Sequence, residues 1–348
     1  MIVRDASTAG ASLPLKGAWT NAGQGLPVAT GNAIRVFEVA LQAIRGGGQA
    51  VLALVLETEG STYAGTGAMA LFGHGTHAGW LSGGCLEPEI ARCAEEAGAT
   101  GMAGWLEIDT RDDELLLTGS AVGCRGRLRI ALLPLQELPG IDAILEAWLE
   151  GQQHASFNIT ADGGVEAATP TLRRRWQLAA MPVAWSSPRQ RWRVSILRPP
   201  EVLILGAGPE TPVLVPLLRE LGWRVHVAER RPRWRDHPAL DGVVIDAPPA
   251  QSLSRAAHAD AALVMHHNFE LDREALDALA TSAIPFIGLL GPSRRQEDLF
   301  RLLTPAQRSA LQPRLRSPVG IDLGGRGPET IALSIAAQLQ AWRHSADA

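Results

Sequence analysis

Arg198-Pro199-Pro200 leading into Glu201-Val202-Leu203-Ile204-Leu205-Gly206-Ala207-Gly208 is the feature that most limits the folds open to this chain. Two adjacent prolines neither continue a helix nor sit inside a sheet, so they mark a boundary between folding units. The apolar run after them suits a strand covered on both faces, and it ends in a glycine turn. A helical pattern over Pro212 to Leu221 follows, then a strand from Arg224 to Ala228 ending at the acid Glu229. Further strands fit Gly242 to Ile245, Ala261 to His266 and Pro285 to Leu290. They alternate with helices at Arg273 to Thr281, Arg294 to Leu303 and Pro328 to Trp342. Alternation at this length implies a Rossmann-like, doubly wound parallel sheet over residues 199–348.

The chain before that boundary has another rhythm. Asn32 to Arg45 is apolar at helical spacing and stops at Gly46-Gly47-Gly48, while Ala50 to Leu56 is a continuous apolar run. Ala68 to Phe72 and Thr76 to Leu81 read as a hairpin around Gly73-His74-Gly75. Strands are expected at Trp105 to Asp109, Arg127 to Leu133, Ser156 to Thr160 and Arg193 to Leu197, with helices at Glu87 to Ala99 and Ile141 to Glu150. The fold class is therefore α/β, with an N-terminal α+β domain over 31–198 and the Rossmann-like domain over 199–348. A hydrophobic content of 46% in 348 residues is enough for two cores. Residues 1–30, rich in Ala, Gly, Ser and Thr, are expected to be a disordered tail and not a signal peptide.

Chemistry concentrates at Ser82-Gly83-Gly84-Cys85-Leu86-Glu87. The strand-like stretch before it and the helical pattern after it place the Cys85 thiol at the first turn of a helix. Unpaired N–H groups and the helix dipole there favour a thiolate and attract anions. Paired glycines allow a ligand close to the backbone. Gly123-Cys124-Arg125-Gly126 repeats the setting before another strand. Two glycine-flanked thiols point to a site for soft ligands or sulfur, against the common fate of a free cysteine as a small buried hydrophobe. Cys93 shares a helical face with Leu86, Ile90, Ala94 and Ala97 and is assigned to the core.

Several classes are excluded. The only lysine is Lys16, which removes a Walker P-loop and an interior Schiff base. A net charge of −4 gives no field for nucleic acid. Three cysteines without a CxxC pair fit a reducing cytoplasm, and no apolar stretch reaches the length of a membrane span. The arginine runs Arg173 to Arg175 and Arg230 to Arg235 read as solvated faces.

Gly206 and Gly208 stand where a dinucleotide fingerprint belongs, with Glu229 at the place of a ribose-binding acid. NAD(P) or FAD binding is the alternative reading. Three neighbours oppose it. Thr211 replaces the third small residue, Pro209 has no N–H, and Glu210 puts negative charge at the helix start. His267 lies at the carboxyl end of a strand, where open α/β sheets bind ligands, and is either a binding group or a structural histidine. His266 is expected on the other face. Gly291 and Arg294 stand at a helix start, with Ser293 and Gln296 in capping-box register. Asp322 and Arg326 flank a glycine-rich turn and suggest an internal ion pair.

Together these motifs resemble the XdhC/CoxI family, accessory proteins of xanthine dehydrogenase and related molybdenum hydroxylases. The resemblance rests on Glu59-Gly60-Ser61-Thr62, Leu81 to Glu87, Gly123 to Gly126, Leu203 to Gly208, His267 with Glu270-Leu271-Asp272, Ile287 to Gly291 with Arg294-Arg295, and Gly320 to Arg326 before Pro328-Glu329. It implies a cytoplasmic, homodimeric carrier that binds the molybdenum cofactor (molybdopterin). With a cysteine desulfurase such a carrier helps the cofactor gain its sulfido ligand, then delivers it to an apo molybdenum hydroxylase. The resemblance makes the protein more a carrier than an enzyme. N–H groups of Gly83 to Leu86 would meet the phosphate, and Cys85 and Cys124 the metal. Glu87 would meet the pterin or the helix dipole. Tyr63, Arg125 and Asn268 depart from the family pattern.

Overall fold

The computed structural model describes residues 2–5, 32–73, 75–111, 125–150, 154–183, 185 and 189–346. It comprises two compact units, Met1–Arg198 and Pro199–Ala348.

The first unit is built on an antiparallel sheet in the order β1-β5-β6-β2-β3-β4. Its strands are β1 (Ile2–Asp5), β2 (Ala50–Gly60), β3 (Met69–Gly73), β4 (Thr76–Ala78), β5 (Gly104–Asp109) and β6 (Gly126–Pro134). β1 corrects the expectation of a tail for these four residues: Ile2–Asp5 pairs antiparallel with β5, so its backbone groups are held by the sheet edge. The apolar run of β2 is explained by cover on both faces. Leu52, Leu54 and Leu56 share a core with Phe37 of helix α1 (Ala33–Arg45) and Trp148 of helix α3 (Ile141–Leu149). Val51, Ala53 and Val55 instead meet Ile90, Ala94 and Ala97 of helix α2 (Glu87–Thr100). Alternate side chains of one strand therefore fill two cores.

Asn32 caps α1 by accepting from the Arg35 N–H at 2.8 Å. A second antiparallel sheet, β10-β7-β8-β9, packs into the α1 and α3 core. Its strands are β7 (Ala155–Thr160), β8 (Gly164–Ala168), β9 (Arg173–Gln177) and β10 (Arg191–Ile196). Sequence reading missed β8 and β9. β9 is an edge strand with exposed arginines, so its charge run is solvated as expected but lies on a sheet.

The second unit is an all-parallel sheet ordered β13-β12-β11-β14-β15-β16. The strands are β11 (Glu201–Leu205), β12 (Arg224–Ala228), β13 (Val244–Ile245), β14 (Ala261–Val264), β15 (Phe286–Leu289) and β16 (Leu315–Arg316). Numbered from its own first strand this is 3-2-1-4-5-6, with the switch point between β11 and β14. Val202 and Ile204 face Leu214 and Leu218 of α4 (Thr211–Glu220), together with Ile335 and Leu339 near the chain's end. Leu203 and Leu205 share the opposite core with Leu276, Leu279 and Leu299. Helices on both faces of a parallel sheet establish the Rossmann-like reading.

The remaining helices are α5 (Pro232–Arg235), α6 (Pro249–Arg255), α7 (Phe269–Ala280), α8 (Ser293–Arg301), α9 (Pro305–Leu311) and α10 (Pro328–Ala346). Among the described residues no helix is long and apolar enough to cross a membrane.

Trp148 ties the first unit together. Its ring meets Phe37 edge-on at 4.8 Å, and its Nε1–H donates to the carbonyls of Ile196 and Leu197, both at 3.2 Å. Trp148→Ala is expected to destabilise this unit by about 3–5 kcal/mol, read as an earlier first transition in urea unfolding.

Candidate functional site

The cysteine loop is organised from within by one carboxylate. Glu87 is buried, and its Oε1 accepts from the backbone N–H groups of Leu81 (3.1 Å) and Ser82 (2.8 Å). Its Oε2 accepts from the Ser82 hydroxyl. The Ser82 oxygen in turn accepts from the N–H groups of Gly84 (3.2 Å) and Leu86 (3.1 Å). Both oxygens of Glu87 thus face the loop that leads into its own helix, and Glu87 is a positioning group there. Gly84 has φ +97°, a left-handed conformation that glycine adopts without strain.

This bracing leaves the N–H groups of Gly83, Cys85 and Glu87 without an acceptor among the described residues. Cys85 is exposed, 3.9 Å from the Ser82 oxygen. The loop borders a shallow, solvent-open cleft whose lining includes Ser61, Thr62, Tyr63, Ser82, Cys85 and Thr110. Its opposite wall is set by close backbone packing. A Cβ on Gly60 (φ +73°) would stand 2.6 Å from the Arg125 carbonyl, and one on Gly126 would meet Ser61 and Thr62. Cys93 is buried in the α2 core, as its helical register implied. Gly123 and Cys124 lie outside the described residues. Among the described residues no three His, Cys, Asp or Glu side chains gather as a metal cage.

Glu87→Ala would leave three donors of the buried residues Leu81 and Ser82 unanswered. We expect a loss of roughly 2–4 kcal/mol together with faster alkylation of Cys85, checked by denaturation and by thiol labelling.

The glycine turn of the second unit is committed internally. Gly206 has φ +89°. The Ala207 N–H donates to Glu229 Oε2 at 2.8 Å, and the Gly208 N–H donates to the Thr211 hydroxyl at 2.9 Å. The space beside Gly208 is taken by Glu210 and the His267 ring, each 2.6 Å from where a Cβ would stand. Glu229 is fully occupied. Besides Ala207 it accepts from the Arg231 backbone N–H (2.7 Å), Arg231 Nε (2.9 Å) and Arg231 Nη2 (2.6 Å). Burial pushes its carboxyl up, but these hydrogen bonds outweigh burial and hold it below the usual range. Four donors on four acceptor positions leave nothing for a ribose hydroxyl. Thr211 thus acts by taking a donor from the turn as well as by its bulk. Arg231, read from sequence as part of a solvated run, is instead folded onto Glu229.

His267 and His266 divide as expected. His266 is buried, with Nδ1 and backbone N both 3.1 Å from Asp272 Oδ1. His267 is partly exposed, and its Nε2 lies 2.9 Å from Glu210 Oε1. Arg295, not Arg294, reaches into the cluster, with Nη2 2.6 Å from Asp272 Oδ2. A Cβ on Gly291 (φ +128°) would lie 2.6 Å from the Arg295 side chain, so the glycine makes room for that arm. Arg294 is exposed. The expected capping box is absent because Pro292, not Ser293, stands at the cap of α8. Asp322 is exposed and accepts from the Gly324 N–H at 2.9 Å; no ion pair joins it to Arg326 among the described residues.

Burial raises the Asp272 carboxyl, but hydrogen bonds from His266 and Arg295 more than reverse this, so its folded value lies below the ordinary one. A depressed carboxyl stabilises the fold above its unfolded value of about 4 and loses that contribution as pH falls through the folded value. Asp272→Asn should therefore be the less stable protein at pH 7, by roughly 3–5 kcal/mol, yet lose less than wild type between pH 5 and pH 3. Urea titrations at the three pH values check both.

Comparison with known proteins follows this division of the chain. Residues 202–339 match the XdhC Rossmann domain, and residues 43–109 match the XdhC and CoxI family. A probable xanthine dehydrogenase subunit of Bacillus subtilis (strain 168) is 27% identical over 313 residues, 84% of this chain and 92% of that protein. The uncharacterized protein YqeB of Escherichia coli (strain K12) is 32% identical over 152 residues, 40% of this chain and 27% of its own length. A crystal structure described as a xanthine dehydrogenase from Bacillus halodurans superposes with a TM-score of 0.74 at 26% identity, covering 89% of this chain and 96% of that one.

Proposed function

The chain belongs to the XdhC/CoxI family, and from that premise we propose that it carries the molybdenum cofactor for a xanthine dehydrogenase-type hydroxylase. It holds the cofactor as cargo while a cysteine desulfurase supplies the terminal sulfido ligand, and then hands it to the apo-hydroxylase. The same reading makes it a cytoplasmic homodimer.

One observation carries the reading: an exposed thiol, Cys85, on a loop that lines an open cleft with Gly83 and Cys85, whose N–H groups have no acceptor among the described residues. The donor set fits the cargo. Thiolate sulfur suits a soft metal centre, and N–H groups at a helix start suit a phosphate. Gly83 and Cys85 are the groups we assign to contact, with Ser82 and the Glu87 carboxylate keeping them in position. Cys124, in the neighbouring glycine segment of the sequence, is the second thiol of this proposal. A shallow cleft suits a carrier, since cargo that must leave should not be enclosed.

The alternative, a nucleotide-dependent oxidoreductase, has the 3-2-1-4-5-6 strand order in its favour. The commitments of Ala207, Gly208 and Glu229 weigh against it.

Anaerobic gel filtration with released cofactor tests the proposal. The wild-type chain should co-elute with molybdenum and pterin fluorescence, and Cys85→Ser should retain roughly tenfold less or lower, as ligand-shell losses do. Absence of co-elution with the wild-type chain would overturn the carrier reading. Titration with NAD, NADP and FAD is expected to leave the melting temperature unchanged, and a saturable rise with any of them would favour the oxidoreductase.

A further inference from the structure

The carboxyl end of the second unit's sheet holds an arrangement that the cysteine loop's role does not use. Three buried carboxylates each hold one cation that reaches water. The Glu229 side chain is 1% exposed and its partner Arg231 35%; Asp272 is 1% exposed and Arg295 23%; Glu210 is 2% exposed and His267 48%. Not every ion pair of the protein has this polarity. In the first unit Arg129 and Glu107, 2.9 Å apart, are each 8% exposed, dry on both sides.

The three pairs are knitted together. Arg231 Nη1 donates to the His266 carbonyl at 2.9 Å, and its Nη2 to the Ala207 carbonyl at 2.7 Å. His266 and Arg295 hold opposite oxygens of Asp272. His267, next in sequence, has φ +54° and is the one non-glycine residue with a positive φ among the described residues. That conformation costs roughly 1–2 kcal/mol, and such strain persists where surrounding contacts hold it, often at binding sites. The segment follows β14 at the switch point, where open α/β sheets receive ligands.

Each of the three cations keeps at least one uncommitted donor position. A guanidinium has five N–H bonds. Arg231 commits four of them, and Arg295 commits two, both to Asp272. His267 keeps its Nδ1 position without a partner among the described residues. When His267 is an imidazolium, none of these three side chains offers an acceptor to a cation. The glycine turn does not supply anion donors either, since the Gly208 N–H is answered by Thr211 and Glu210 lies against the turn.

We propose that His267, Arg231 and Arg295 form a binding site for a small oxyanion, a phosphate or the phosphate of a monoester, on the rim of the second unit. This site stands whether or not the first unit carries the molybdenum cofactor. The Glu210 hydrogen bond raises the His267 imidazole above its ordinary value, opposed by burial; Asp272 adds to the rise and Arg295 opposes it. The imidazolium therefore persists above the usual histidine range, and anion affinity falls as pH climbs through that raised value.

Sulfate, whose charge does not change between pH 5 and pH 9, isolates the protein's own titration. Imidazole resonances of the full-length protein should shift saturably at His267 as sulfate is added, with affinity about tenfold weaker once the imidazole is neutral, the loss of one charge-assisted contact. His267→Asn, which tolerates the same backbone conformation, should weaken binding by about the same factor and abolish its pH dependence. Arg295→Gln should weaken it at every pH. Arg235→Gln, whose side chain pairs with Asp236 and Asp246 and with none of the three buried carboxylates, should leave it unchanged. Circular dichroism confirms that each variant is folded. Phenyl phosphate binding more tightly than inorganic phosphate assigns the site to esters, and equal binding assigns it to the free anion. No saturable shift with sulfate or phosphate, or equal affinity in wild type, His267→Asn and Arg295→Gln, would overturn the proposal.

Discussion

A carboxylate removed from water must be met by donors, and in this protein those donors include backbone N–H groups of the cysteine loop, the glycine turn and the segment after β14. Glu87 gathers Leu81, Ser82 and the Ser82 hydroxyl; Glu229 gathers Ala207 and Arg231; Asp272 gathers His266 and Arg295. Each loop is thereby fixed by one interior charge whose demand exceeds what a neutral group would exert. The geometry at Cys85 and at His267 follows from that demand more than from helix or strand propensity. It also decides which donors of these loops are left over.

The same constraint separates the second unit's fold from the ligand its fold suggests. Its strand order and first glycine turn are those of a dinucleotide-binding sheet. The turn nevertheless answers its own N–H groups with Thr211 and Glu229, and Arg231 lies across the ends of β11 and β14 through its bonds to Ala207 and His266. Strand pairing depends on the apolar run, and ligand choice on a few side chains at its end.

The architecture was legible because its determinants are local. The boundary at Pro199-Pro200, the buried run of β2 and the apolar face of α2 with Cys93 each declare themselves within a dozen residues. Elements whose residues obey a partner's needs were not legible: β16 is two residues long, and β9 is an arginine run that reads as solvent-facing. At the sites, Cys85, Glu87 and His267 stood out by their neighbours in sequence. Glu210 finds His267 across 57 positions, and Arg295 finds Asp272 across 23, and no periodicity reports such a meeting. The pair Glu229 and Arg231 is closer; an acid at a strand end with an arginine two residues on was a readable signal for self-occupation of the turn.

The exposure of Cys85, set against the burial of Cys93, has a chemical consequence of its own. Sulfur open to solvent is within reach of peroxide, whereas the interior thiol is shielded by its helix. Over-oxidation to the sulfinic state is not reversed by ordinary thiols. Accessibility and longevity therefore pull this side chain in opposite directions, and the redox poise of its surroundings sets how long each molecule stays serviceable.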